Sequence, residues 1–299
     1  MKKSIVALAV TSAAFASISA YAADTTTANF YGNIQYGFQD TKGGGEVFDN
    51  GSALGFNGES VIDDSTTAFF NIKYKVPLIK QGYQKVKLDT AEVGVKGNFG
   101  KVRVGTFDGI YNDAVQDGID NSEALSWDSN DVSPEGDTVA YYSPSMNGFE
   151  FQVSLQGSGS NSSVGGSTGN SAMAVVKYST DMFTVAAAYD ARKNATTAVD
   201  KSTTGIKLTV APMENVTLAL NYESLQDTQK VTGLGATYGY GMGTIYAAVG
   251  HVSPNGSASS YGQSEIGANY SINSSMYVYL ETGSVNSIST SNVGVVYSF

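Results

Sequence analysis

From Ala28 onward the chain alternates apolar and polar side chains in short runs. In the first run Ala28, Phe30, Ile34, Tyr36 and Phe38 share one phase, and Asn29, Tyr31, Asn33 and Gln35 the other. The same period of two returns at Phe70/Ile72/Tyr74/Val76, Phe149/Phe151/Val153/Leu155, Phe183/Val185/Ala187/Tyr189, Ile206/Leu208/Val210, Val216/Leu218/Leu220/Tyr222 and Val293/Val295/Tyr297/Phe299. Successive strand side chains point to opposite faces, so each run predicts a strand with one apolar and one polar face. Divided into segments of about ten residues, the pattern predicts about sixteen strands. Short turns fall near 59–64, 97–100, 144–148, 179–181, 211–215, 240–242 and 272–275. Longer connections fall near 39–52, 77–85, 106–137, 156–171, 190–203, 223–230, 252–260 and 282–289. Of these, 106–137 is the longest stretch without a sustained apolar pattern.

Two architectures give such strands. In a secreted soluble sandwich the apolar face packs on a second sheet. In a membrane barrel it meets lipid, and the polar face lines water. The polar faces here carry Gln, Asn, Lys and Glu, and Tyr recurs near strand ends as an interfacial girdle requires. Connection lengths also alternate, for which a sandwich has no reason. The fold predicted is all-β: a transmembrane antiparallel β-barrel of about sixteen strands, wide enough for an aqueous channel, whereas eight strands would be filled by side chains.

Composition narrows the function classes. The chain contains no cysteine, which excludes disulfides and thiol chemistry. A net charge of −10 argues against nucleic acid, which attracts basic surfaces. Lys2 and Lys3, the apolar run 5–18 and the small-x-small triplet Ala20-Tyr21-Ala22 read as a cleaved secretory signal over 1–22, leaving 23–299 as the barrel. No apolar stretch beyond it approaches the ~20 residues of a spanning helix.

Four stretches then point to a family. They are Ser52-Ala53-Leu54-Gly55-Phe56-Asn57-Gly58-Glu59, Val93-Gly94-Val95-Lys96-Gly97-Asn98-Phe99-Gly100 leading to Val104-Gly105, Val139-Ala140-Tyr141-Tyr142-Ser143-Pro144, and the ending Val293-Gly294-Val295-Val296-Tyr297-Ser298-Phe299. In this order and spacing the chain resembles the Gram-negative general diffusion porins. The resemblance implies a trimer of sixteen-stranded barrels in the outer membrane, whose third external loop folds inward as a constriction. By order and length that loop is 106–137. The resemblance also implies lipid and lipopolysaccharide around the barrel, and a terminal aromatic, Phe299, read by the barrel assembly machinery. No cofactor or metal is implied.

Within the loop, Asp108, Asp113, Asp117, Asp120 and Glu123 are the candidate constriction acids, and no Lys or Arg occurs between Val104 and Val176. The family sets such acids against bases on the wall. Here Asn33, Ala53, Asp89 or Thr90, and the stretch Pro134-Glu135-Gly136 stand where those bases are expected. Lys73, Lys96 and Arg103 have inward phase and form the candidate pore wall. Rings of Asp and Glu select cations, so the function expected is passive, cation-preferring diffusion of ions and small hydrophilic solutes. A barrel serving mainly as a surface adhesin or receptor is the alternative.

Other candidates carry less. His251 is the single histidine, no G-x-S-x-G elbow accompanies it, and no enzymatic activity is expected. Trp127 reads as a packing anchor, with a sugar-stacking platform as the sharper alternative. Asp128, Asn130 and Asp131 offer oxygen ligands to a divalent ion but lack the glycine of a calcium loop. The run 157–169 reads as a flexible external loop, and the acceptor-like Asn161 and Asn194 mean little in bacterial export.

Overall fold

The computed structural model describes residues 26–41, 44–79, 85–130, 132–133, 135–157, 171–191 and 201–299. The signal segment 1–22, nearly all of the run 157–169, and Asp131, Pro134, Asn161 and Asn194 lie outside the described residues.

In chain order the strands are Thr26–Thr41, Gly44–Asp49 with Ala53–Asp63, Thr66–Lys75, Lys87–Gly97, Gly100–Thr106, Thr138–Tyr142, Phe149–Gln156, Ser171–Ser179, Phe183–Asp190, Thr203–Met213, Val216–Leu225, Gln229–Gly239, Thr244–Pro254, Tyr261–Asn273, Met276–Val285 and Ile288–Ser298. Gly44–Asp49 and Ala53–Asp63 both pair with the first strand and are two parts of one, so the 17 segments make sixteen strands. Each pairs antiparallel with its chain neighbour, and the first pairs with the last from Asn33↔Ser298 to Asp40↔Ser291. The sheet is therefore a closed barrel. Closure pairs the backbone groups that an open edge would leave bare, the condition for crossing a membrane with strands.

The alternation sorts side chains as the sequence predicts. Leu155 and Leu280 are each 65% exposed, while their neighbours Gln156 and Glu281 are 7% and 2% exposed. Apolar groups thus face outward and polar groups inward, inverting a soluble core. At the seam, Gly32 and Phe299 exchange backbone hydrogen bonds of 2.9 and 3.0 Å. The Phe299 ring joins an outward aromatic row, 5.7 Å from Phe30, which lies 5.1 Å from Phe56.

Three connections are shorter than their polar sequence suggests. The expected loop 39–52 is largely strand, since Thr26–Thr41 pairs with Gly44–Asp49. The expected loops 223–230 and 282–289 reduce to the turns 226–228 and 286–287. Glu223, inside the expected loop 223–230, is instead a buried strand residue that points into the lumen. Asn286 and Ser287, at φ 49° and 67°, have the left-handed conformation of a two-residue hairpin turn.

Candidate functional site

The loop 107–137 lies inside the barrel. The wall groups it bonds, Asp190, Glu223, Gln263, Glu265 and Glu281, are all buried on inward strand positions. Its first limb carries an apolar ridge, Ile110, Tyr111, Ala114 and Val115, built around the short π-helical turn Asn112–Gln116. That ridge packs on Ala140, Met173, Val175, Ala186 and Ala188 of the wall. Burying one such Ile or Val side chain is worth about 1.5–3 kcal/mol. The ridge escaped the sequence reading because its helical spacing covers barely one turn. It also explains why Ser171–Ser179 and Phe183–Asp190 are apolar on both faces, one facing lipid and one facing the loop.

Polar bonds fix the path. Asn221 Nδ2 donates to Val115 O at 3.1 Å, Gln116 Nε2 to Glu223 Oε2 at 2.8 Å, and Lys207 Nζ to Asp117 O at 2.7 Å. At the tip, Asn121 N donates to Glu265 Oε1 at 3.0 Å, and Glu123 N and Ala124 N to Glu281 at 2.9 and 2.7 Å. On the return limb Gln263 clamps the Asp128 backbone from both sides, at 2.8 and 2.9 Å. Ser133 Oγ then donates to Asp190 Oδ1 at 2.8 Å. Wall carboxylates thus take up backbone N–H groups that the loop would otherwise leave unpaired. Hydrogen bonds to charged groups are worth about 1.5–3 kcal/mol each.

Inward glycines let the loop approach this closely. A Cβ at Gly233 would lie 2.6 Å from Ile119 Cγ2, and one at Gly250 2.7 Å from Trp127 Cζ2. Gly233→Val should therefore push the tip toward the pore axis and lower single-channel conductance, with heat-resistant folding retained. Unchanged conductance would mean that the tip yields sideways and that the glycine does not set its position.

The candidate acids fall into two groups. Asp108, Asp113 and Asp117 lie close enough that their charges act on one another. Asp120 and Glu123 lie apart at the tip. There Asp120 Oδ1 caps its own turn, accepting from Ser122 Oγ at 2.7 Å. Glu123 accepts from Tyr277 Oη at 2.7 Å and Gln35 Nε2 at 3.1 Å. Both Glu123 oxygens are thus engaged in bracing the tip across to the first strand.

The candidate wall bases are each paired. Lys73 lies 2.8 Å from Asp89, which also holds Lys75 at 2.8 Å. Lys96 lies 2.6 Å from Glu59, beside the 97–100 turn and far along the strand from the loop. Arg103 is a hub: Nη1 is 3.2 Å from Glu92, Nη2 is 3.8 Å from Asp113 and bonds Tyr142 Oη, and the guanidinium stacks 3.8 Å from the Phe107 ring centroid. Lys101, Lys177 and Lys207 also point inward, and sequence reasoning did not single them out. Lys177 was hidden by the doubly apolar strand that carries it.

Burial, reinforced by the charges of Asp117 and Asp108 and opposed by Arg103, pushes the Asp113 carboxyl up to about 6. Burial also raises Asp117, despite its exposure to the lumen, because the barrel wall encloses it. Glu135 is raised by burial and by a hydrogen bond and charge shared with Asp108. These carboxyls gain protons as pH falls, so the loop loses negative charge at a higher pH than free carboxyls would. Selectivity should therefore shift away from cations between about pH 7 and 5, read as reversal potential across a pH series. A potential flat down to pH 4.5 would contradict this setting for Asp113.

The remaining candidates are placed plainly. Trp127 packs over Gly233 and Gly250, as an anchor. His251 is exposed on the outer face, opposite Thr232. Among the described residues no group of three or more His, Cys, Asp or Glu could hold a metal.

Comparison with known proteins fits this geometry. The family model described as Gram-negative porin matches residues 7–288. The chain is 33% identical to a monosaccharide porin from Halomonas sp., over 94% of each chain. The same figures hold for the major outer membrane protein of Halomonas elongata. Among solved structures, OmpF of Salmonella typhi in complex with daunomycin superposes with a TM-score of 0.76 at 18% identity, covering 92% of this chain and 98% of that one.

Proposed function

We propose, from the premise that this chain belongs to the Gram-negative porin family of the outer membrane, that it is a passive, cation-preferring pore for ions and small hydrophilic solutes. The observation that carries this reading is the loop tied inside a sixteen-stranded barrel, with Asp108, Asp113 and Asp117 gathered on its first limb. At physiological salt charges act over about 8 Å, so these carboxylates influence ions across the narrow part of the lumen. Lys73, Lys96 and Arg103 oppose them weakly, each being paired with an acid.

Small sugars belong among the solutes, a reading supported by the relative described as a monosaccharide porin. Segment 1–22 serves as a cleaved export signal. Phe299 serves as the assembly signal, and the barrel assembles as a homotrimer amid lipid and lipopolysaccharide, as the family resemblance implies. The adhesin alternative is disfavoured by the tight turns at 226–228 and 286–287, which leave little to protrude.

The reading is tested by swelling of proteoliposomes in isotonic sugars of increasing size. Rates should fall steeply with solute size, and absence of swelling in every sugar would refute the channel.

A further inference from the structure

Between the return limb of the loop and the last two strands lies a cleft of about 330 Å³ that the constriction does not use. Its lining includes Asp128, Tyr261, Asn286, Thr290, Val285 and Ile288. That volume is at the lower end of small-molecule sites, ~300–1,000 Å³. Asp128 is built into it rigidly. The buried Gln263 holds its backbone on both sides, and Tyr261 Oη donates to Oδ2 at 2.7 Å. The second oxygen, Oδ1, has no hydrogen-bond partner among the described residues, which leaves a fixed acceptor in the cleft.

We propose that this cleft is a capture site for a neutral monosaccharide on its way into the pore; the proposal rests on the channel reading above. The chemistry selects that ligand class. An ionised carboxylate only accepts hydrogen bonds, and vicinal sugar hydroxyls are donors. The Asn286 amide and Thr290 hydroxyl both donate and accept, suiting the remaining hydroxyls. Val285 and Ile288 give an aliphatic surface for the C–H face of the ring. A hard cation would need six or more oxygen ligands, and among the described residues no cluster of acids surrounds Asp128.

Trp127, which precedes Asp128, packs over Gly233 and Gly250 and does not line the cleft, so glucose binding is read by isothermal titration calorimetry. Titrating the reconstituted protein with glucose should give a saturable heat of binding. Asp128→Asn should weaken it at least tenfold, and Tyr261→Phe by a smaller factor that stands as the second test if the first variant fails to fold. No saturable response to glucose overturns the site, and a response unchanged in both variants overturns its assignment to Asp128. A response to methylamine or magnesium chloride but not glucose overturns the ligand class. Salt conductance of the same preparation separates the two readings. Conduction without a glucose response sinks the capture site alone, whereas absence of conduction sinks the channel.

Discussion

Replacing Asp113 and Asp117 together by asparagine is expected to lower the cation-over-anion permeability ratio about tenfold at pH 8. A unit charge about 6 Å from a passing ion contributes roughly 0.7 kcal/mol in water. Screening at physiological salt roughly halves that figure. Two charges, each favouring the cation and opposing the anion, then sum to about 1.3 kcal/mol, and 1.4 kcal/mol is tenfold. Asparagine keeps the shape of each side chain, and burial already penalises the ionised carboxyls. The double variant should therefore fold at least as well as the parent. It also leaves Arg103, 3.8 Å from Asp113, less compensated, which pushes selectivity in the same direction. Reversal potentials under a salt gradient measure the ratio, and a parent-like ratio would show that other charges set the preference.

Removing Glu281 should have the largest effect on the loop itself. Its carboxylate accepts from Glu123 N, Ala124 N, Tyr246 Oη and Asn292 Nδ2, and it is 2% exposed. In Glu281→Leu the two loop N–H groups lose a charged acceptor, a cost of about 3–6 kcal/mol at ~1.5–3 each. That shifts the docked-to-free ratio of the tip by roughly a hundredfold or more. The apolar ridge and the bonds at Glu223 remain, so the first limb stays seated while the tip moves. Single-channel records should become noisy, with added conductance levels, while the folded barrel keeps its heat-modifiable mobility. Quiet records at the parent conductance would mean that Glu265 and Gln35 hold the tip without Glu281.

The barrel was largely legible in the sequence because a strand that meets lipid on one side and water on the other repeats its pattern every second residue. Leu218, Leu220 and Tyr222 against Thr217, Ala219 and Asn221 reveal both faces at once. Legibility failed where the lumen is not watery. Met173, Val175, Ala186 and Ala188 are apolar on the inner face because the loop covers them, a contact that the outward run Phe183/Val185/Ala187/Tyr189 does not reveal. It failed again at Glu223, whose polarity looked like loop chemistry although it is buried and anchors the loop. The loop's identity followed from its order and length, through the family resemblance. Its path depends on single contacts across more than a hundred residues, such as Gln116 to Glu223, and no local pattern encodes those.

The most direct test of the account is the reversal potential of the purified protein in a planar bilayer under a potassium chloride gradient at pH 8. The account predicts stepwise conductance with a cation-selective potential. An anion-selective potential, or no conductance from a correctly inserted barrel, would contradict it.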